Sequence, residues 1–273
     1  MRGMKIDKKT IVVKVGTSTI TNEDGSIKLR ILDRLTRVLS EAASSGYKVL
    51  LVSSGAIGVG VNKMRLGSKP SETRLKQAAA AVGQCELMHL YDRYFGEYDK
   101  MAGQILFTSD DLDNEEKRSN LSGTLEALIE KGIIPIINEN DSISHAEIMS
   151  NEKIFGDNDM LSAIVAGFVG AGKLIILSDI DGLYDCDPRK NKNAKLISRV
   201  DDLDSISNEM IQGAGSARGT GGMMSKISAA RYATKLGIDV FIENGSNPEA
   251  ILDILDHKKA GTLFPAKENN SKE

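Results

Sequence analysis

The chain has 273 residues, of which 41% are hydrophobic and 27% are charged, and this balance predicts a folded protein. The length fits one large domain or two small ones, and we expect a single domain. Its net charge of −3 and its aromatic content of 4% argue against binding to nucleic acid or to a membrane surface, so any anion must be held by local groups. No segment has the composition of an export signal or a membrane span. Cys85 and Cys186 have no metal-site spacing, and we expect free thiols in a cytoplasmic protein.

Four apolar runs predict strands that are buried on both faces, and each run is followed directly by polar residues. The runs and their polar successors are 11–15 before 16–18, 49–52 before 53–55, 133–137 before 138–141, and 174–177 before 178–179. Ligands of parallel sheets bind just beyond the carboxyl ends of the strands. We therefore expect these four polar ends to meet at one site, although turn formation alone could also explain each of them.

The other predicted elements alternate helix and strand, which indicates parallel βαβ units. Apolar residues recur at helical spacing over 27–42, and Gly46 is placed to end that helix. Asp157 or Asn158 is the predicted N-cap of a helix that follows it. The later elements are helices over 72–94, 117–130, 160–168, 223–236 and 248–256, a strand over 103–108, and a last core strand over 238–242.

Two segments lack a regular pattern and are expected to cover the site. Residues 142–151 predict a loop or small hairpin that could act as a lid, and residues 179–203 are rich in turn-forming residues. The polar residues 267–273 are expected to form a frayed tail.

Three glycine-rich stretches are candidates for a phosphate site. Residues 167–173 approach a P-loop, but they should connect a helix to a strand, which is the reverse of a P-loop. Residues 213–218 fall one glycine short of a dinucleotide motif and follow no strand. The glycines 221–222 open a helix, whose free N–H groups favour phosphate. Lys226 lies one turn inside it, either reaching that phosphate or solvated on the surface.

Lys14 lies inside a short apolar strand, where its ammonium group must meet a buried Asp or a ligand anion. Several acidic residues are candidates, although they could equally form caps and turns: Asp141, Asp157, Asp159, Asp179 and Asp181. The three histidines have no Ser or Cys partner in a triad-like pattern and are expected to be structural: His89, His145 and His257. No metal-ligating set of side chains is predicted.

Five motifs then occur in a fixed order: VVKVGTS at 12–18, SSGAI at 53–57, INEND at 137–141, GDND at 156–159 and GTGGMMSK at 219–226. Together they resemble the motifs of the amino acid kinase family, and most closely those of its glutamate-phosphorylating members. The resemblance implies an α/β fold, a three-layer αβα sandwich around a mainly parallel central sheet. It implies one kinase domain over residues 1–266, with residues 267–273 as its tail. Many family members carry a further C-terminal PUA domain, and this chain is expected to depart from them by lacking it. The segment over 147–156 is longer than the usual family link, so a different lid is expected.

The resemblance also implies a reaction. ATP, with Mg²⁺ carried by the nucleotide, would phosphorylate the γ-carboxylate of L-glutamate to L-glutamyl 5-phosphate, the first step of proline biosynthesis. The alternatives are a sister kinase acting on acetylglutamate, aspartate or carbamate, and a catalytically silent sensor of ATP or an amino acid. A sensor would not need both lysines and Asp159, which argues against it.

Finally, the resemblance assigns roles to individual residues. Catalytic roles fall to Lys14, Lys226 and Asp159. Glutamate binding is assigned to Ser54, Asp141 and Asn158. Nucleotide binding is assigned to Lys14, Gly16, Ser178, Asp179, Thr220, Gly221, Gly222, Met223 and Lys226. Sensitivity to proline as a feedback inhibitor is assigned to Asp111 and Glu147. A homo-oligomer, either a dimer or a tetramer, and functional coupling to glutamyl phosphate reductase are further expectations.

Overall fold

The computed structural model describes residues 6–143, 158–207, 210 and 222–267. Over this part of the chain the strands form one seven-stranded sheet in the order β3-β4-β2-β1-β5-β6-β7. Their bounds are β1 Asp7–Val15, β2 Lys48–Val52, β3 Ala102–Phe107, β4 Ile134–Glu139, β5 Ala171–Ser178, β6 Asp239–Asn244 and β7 Thr262–Phe264. All neighbouring strands are parallel except β6 and β7, which are antiparallel.

Helices cover both faces of this sheet. Their bounds are α1 Thr17–Ile20, α2 Leu29–Ser44, α3 Ala56–Lys63, α4 Thr73–Gly96, α5 Ser109–Asp113, α6 Glu115–Glu130, α7 Asn158–Phe168, α8 Met223–Lys235 and α9 Ala250–Leu255. Helices α2, α4 and α9 bury their apolar residues with one face of the sheet, and α7 and α8 with the other. The predicted αβα sandwich is therefore confirmed.

The alternation of side chains along β1 explains how the two cores divide. Ile11, Val13 and Val15 belong to the core under α2 and α4, whereas Val12 belongs to the core under α7 and α8. Successive side chains of a strand point to opposite faces. Lys14 therefore shares the α7 and α8 side of the sheet with Val12.

Several predicted bounds needed correction. Strand β4 continues through Asn138 and Glu139, two residues beyond the predicted end, because both side chains are buried and pair in register with β3. The predicted last strand is followed by β7, whose three residues are too few to give a periodic pattern. Asn158 is the first residue of α7, and its side chain donates to residues of the strand ends instead of capping the helix. Asp157 lies outside the described residues.

Helix α3 was not predicted, because Gly58 and Gly60 lower its helix propensity. Glycine is needed at position 60 because a Cβ atom there would lie 1.8 Å from the main-chain oxygen of Ala79 in α4. Gly83 approaches Ala56 in the same way from α4. The backbones of α3 and α4 thus touch, which fixes α3 directly after the end of β2.

The prediction that residues 167–173 do not form a P-loop is confirmed. Residue Phe168 ends α7 and Ala171 begins β5, so this glycine-rich turn leads from a helix into a strand. Lys173 lies near the amino end of β5, away from the polar strand ends. None of the helices in the described ranges is both long and apolar enough to cross a membrane.

Candidate functional site

The polar strand ends meet in a cleft of about 560 Å³ at the carboxyl edge of the sheet. Strand β1 lies between β2 and β5, and the chain reaches these two neighbours through connections on opposite sides. Such a reversal of strand order is where ligands bind in open α/β sheets. Eight predicted site residues line the cleft: Lys14, Gly16, Ser54, Asp141, Asn158, Ser178, Asp179 and Lys226.

The floor of the cleft is a cluster of two lysines on one carboxylate. Lys14 Nζ lies 2.6 Å from Asp159 Oδ1, and Lys226 Nζ lies 3.0 Å from Asp159 Oδ2. Asp159 is 0% exposed, while both lysines are 6% exposed and still line the cleft. The expected counter-charge of Lys14 is therefore Asp159, and the interpretation of Lys226 as a solvated helix lysine is wrong.

The charges of this cluster favour an anion in the cleft. Burial raises the pKa of Asp159, but the charges of Lys14 and Lys226 outweigh it and hold that pKa far below its ordinary value. Ser225 also donates to Asp159 Oδ2 at 2.6 Å. The cluster of two ammonium groups and one carboxylate keeps a net positive charge, and a negatively charged ligand can neutralise it.

Amide and hydroxyl groups line the part of the cleft beyond β2 and β4. Asn158 Nδ2 lies 2.9 Å from Ser53 O, 2.7 Å from Ser54 Oγ and 3.0 Å from Asn138 Oδ1. Asp141 also lines this region. Asn138 was missed as a site residue, although it follows an apolar run as closely as the residues that were chosen. Its position directly after an apolar run was the same sequence signal that marked the predicted site residues.

The predicted nucleotide-binding residues divide into three groups. Gly16, Ser178 and Asp179 line the cleft, and Arg189 Nη2 lies 3.3 Å from Asp179 Oδ2. Gly222 directly precedes α8, whereas the side chain of Met223 is buried in the core, so only its main chain could face a ligand. The structure does not describe Thr220 and Gly221.

The outer wall of the cleft was predicted only in part. Thr17 and Ser18 of α1 belong to a predicted polar strand end, whereas the turn over 22–25 and residues 67–69 were not predicted to line the cleft. The turn packs on α3, where Asn62 Nδ2 donates to Asp24 O at 2.9 Å. The Asp-Gly pair at 24–25 was a signal for this turn, but its position against the strand ends depends on the tertiary fold.

Asp111 lies away from the cleft. On α5, it accepts hydrogen bonds from Thr108 in a capping box and pairs with Lys117 at 2.7 Å. The hydrogen bond from Lys117, followed by the bond from the Thr108 main chain, lowers the pKa of Asp111. Glu147 lies outside the described residues. Across the described ranges, no group of three or more His, Cys, Asp or Glu side chains could hold a metal ion.

Comparisons with known proteins show the family of this chain. The sequence pattern described as "Amino acid kinase family" matches residues 9–244. The chain is 55% identical to a glutamate 5-kinase of Clostridium perfringens, over 98% of this chain and 99% of that protein. It is 45% identical to a glutamate 5-kinase of Listeria innocua, over 98% and 96% of the two chains.

Two solved structures share the fold. A UMP kinase from Ureaplasma parvum matches with a TM-score of 0.63 and 18% identity, over 95% of this chain and all of that chain. A carbamate kinase from Giardia lamblia matches with a TM-score of 0.65 and 17% identity, over 94% and 98% of the two chains. The match to the family over residues 9–244 and the identity to the two glutamate 5-kinases show that the chain belongs to the amino acid kinase family.

Proposed function

We propose that this chain transfers the γ-phosphoryl group of ATP to the γ-carboxylate of L-glutamate, forming L-glutamyl 5-phosphate in the first step of proline biosynthesis. The observation that carries the proposal is the pair of buried lysines on Asp159, at the floor of the cleft. The choice of glutamate rests on the glutamate 5-kinases that the chain resembles over nearly its whole length.

The charges of the reaction explain why two lysines are needed. The γ-carboxylate of glutamate is ionised at neutral pH, so it can attack phosphorus without a general base. The difficulty is the approach of one anion to another, which positioning and charge neutralisation must overcome. Lys14 and Lys226 can contact the transferred phosphoryl group from the floor of the cleft, because Asp159 holds both ammonium groups there.

The cleft also has room and donors for a nucleotide. Its volume is about 560 Å³, and Gly16 and Ser178 line it beside the two lysines. Helix α8 begins directly after Gly222, and the positive end of a helix dipole favours phosphate. We propose that Mg²⁺ arrives with ATP, whose phosphates supply the oxygen ligands it prefers, and that it adds positive charge there.

The remaining cleft residues are proposed to hold glutamate. Asp141 would accept from the α-ammonium group, and Ser54 and Asn158 would contact the same amino acid; all three line the same cleft. A buried ammonium group needs an ionised acceptor. Asp141 thus distinguishes free glutamate from acetylglutamate, which has no α-ammonium group.

Trapping of the acyl phosphate tests this function. The purified chain with ATP, Mg²⁺, L-glutamate and hydroxylamine should form glutamyl hydroxamate. Lys226→Met should abolish most of this product, whereas Lys173→Met, which removes a buried lysine near the amino end of β5, should keep it. Hydroxamate from acetylglutamate, aspartate or carbamate but not from glutamate would show a sister kinase, and ATP binding without any product would show a sensor.

Further properties of the family members are proposed for this chain as well. We expect inhibition by proline, with Asp111 and Glu147 affecting its strength, because proline resembles glutamate closely enough to compete with it. We also expect a dimer or tetramer, a cytoplasmic location, and consumption of the product by glutamyl phosphate reductase. Activity that stays constant at high proline would refute the expected inhibition. A monomer by light scattering would refute the expected dimer or tetramer.

A further inference from the structure

A chain of three amide groups, of which those of Gln84 and Asn138 are buried, links helix α4 to the cleft. Gln84 Oε1 accepts a hydrogen bond from Asn138 Nδ2 at 2.9 Å, and Asn138 Oδ1 accepts one from Asn158 Nδ2 at 3.0 Å. Asn138 and Asn158 line the main cleft. Gln84 is 9% exposed and lines a separate cavity of about 380 Å³. The amide chain therefore begins outside the substrate cleft and ends inside it.

Ser53 and Ser54 fix which end of the Asn158 amide faces the protein. The main-chain oxygen of Ser53 can only accept a hydrogen bond, and it lies 2.9 Å from Asn158 Nδ2. Ser54 Oγ lies 2.7 Å from the same nitrogen. With Asn138 Oδ1, three acceptors surround the two N–H groups of Asn158, so neither N–H group is left over and its Oδ1 is the polar atom available to a ligand.

Asn138 can support this arrangement in only one of its two amide orientations. With Oδ1 towards Asn158, donor meets acceptor; with Nδ2 in that position, two N–H groups would face each other. Gln84 Oε1 stands on the other side of Asn138 and binds its Nδ2. Because an unmatched buried donor is costly, Gln84 favours the orientation that Asn158 requires.

We infer that Gln84 is a positioning residue for substrate binding, which sets the orientation of Asn138 and thereby keeps Asn158 Oδ1 directed to an N–H donor of the substrate. The inference rests on the proposed function. The N–H donor of L-glutamate is its α-ammonium group, so Gln84 affects amino acid binding and not the transfer of the phosphoryl group. Gln84 itself does not line the main cleft.

Three variants test this role. Gln84→Met keeps the length of the side chain but removes the acceptor, and Gln84→Glu keeps an acceptor oxygen in either protonation state. Gln77→Met is the matched control, because Gln77 lies on α4 two turns earlier. The measurements are the KM for glutamate, the KM for ATP and kcat, all from hydroxamate formation, together with the thermal midpoint.

We expect Gln84→Met to raise the KM for glutamate about 2- to 10-fold, the range for one neutral hydrogen bond, with kcat and the KM for ATP unchanged. Gln84→Glu should restore the KM, and Gln77→Met should not alter it. If Gln84→Met does not fold, Gln84→Ser, which is too short to reach Asn138, replaces it.

The possible failures are distinct. An unchanged KM for glutamate in Gln84→Met, equal changes in both KM values, or no recovery in Gln84→Glu would overturn the positioning role while leaving the proposed function intact. Wild-type protein that forms no hydroxamate from glutamate would overturn the proposed function and this role together.

Discussion

Replacing Asp159 with Asn tests whether one carboxylate holds the phosphoryl-binding lysines. The variant keeps the size of the side chain and an oxygen that can accept from Ser225, but it removes the negative charge between Lys14 and Lys226. Two ammonium groups, each 6% exposed, then lose the carboxylate that lies between them. They must separate, take up an anion or lose a proton.

The expected loss of stability follows from this burial. Removing one partner of a buried ion pair typically costs about 3–5 kcal/mol. For chains of 150–250 residues, each kcal/mol lowers the thermal midpoint by about 2–4 °C, so the midpoint of Asp159→Asn should fall by about 6–20 °C. Asp253→Asn is the control, because its partner Lys258 is 61% exposed and such surface pairs contribute at most about 1 kcal/mol.

Two assays on the same variant separate stability from catalysis. ATP brings phosphates that can replace the lost carboxylate, so ATP should raise the thermal midpoint of Asp159→Asn more than that of the wild type. The kcat of the variant should nevertheless fall, because both lysines lose their fixed positions. A midpoint and a kcat equal to those of the wild type would refute the role of Asp159, as would an equal effect of ATP on both proteins.

The pH dependence of stability gives a further check with a definite sign. The folded state holds the pKa of Asp159 below its ordinary value of 3.8, because the lysine charges outweigh the effect of burial. The stabilisation by ionised Asp159 is therefore complete well above pH 3.8 and is lost as the pH falls from there towards the folded pKa. The free energy of unfolding of wild type and Asp159→Asn, measured by urea denaturation, should accordingly converge as the pH is lowered below 3.8.

Four other substitutions have equally direct outcomes. Lys14→Ala and Lys226→Ala should each lower kcat about 100- to 1,000-fold, the range for one transition-state donor, with little change in the KM for glutamate. Near-normal turnover of either variant would show that the replaced lysine has only a structural role. Asp141→Asn should raise the KM for glutamate about 10- to 150-fold, the range for a charge-assisted hydrogen bond, and leave the KM for ATP unchanged; if Asp141 only caps a turn, the thermal midpoint falls and both KM values shift alike. Gly83→Ala should lower the free energy of unfolding by about 1–3 kcal/mol, because the Cβ of the new alanine would lie 1.8 Å from the main-chain oxygen of Ala56. Urea denaturation measures this loss, and an unchanged urea midpoint would show that α3 and α4 can separate freely.

The sequence predicted those features that depend on local pattern. Apolar runs marked the central strands, and the residues directly after them marked the cleft, because the strands are parallel and their ends must lie on one edge. The chemistry of Lys14 also required a counter-charge. Local pattern could not identify that counter-charge among five Asp candidates, since Asp159 reaches Lys14 only through the packing of α7 on β1. Only the family resemblance singled out Asp159.

Features that depend on packing could not be predicted from local pattern. The glycines of α3 lowered its helix propensity, yet Gly60 is there because α4 approaches so closely that no side chain would fit. The role of Lys226 stayed open for a similar reason. The local sequence around a lysine in a helix does not show whether its side chain is solvated or buried, and the structure shows that it is buried. The outer wall over 22–25 and 67–69 has no strand-end signal at all.

The register of β1 connects the stability of the sheet to the chemistry of the cleft. Lys14 pairs with Val52 of β2 and Ile176 of β5, so both sides of β1 fix its position. A shift by one residue would turn Lys14 into the apolar core under α2 and α4, where Val13 and Val15 lie. In the observed register, Lys14 emerges on the side of α7 and α8, where Asp159 and Lys226 are buried. The same pairing that buries the central strand therefore places both ammonium groups on one carboxylate, and a variant that loosens this register should lose anion binding before the sheet unfolds.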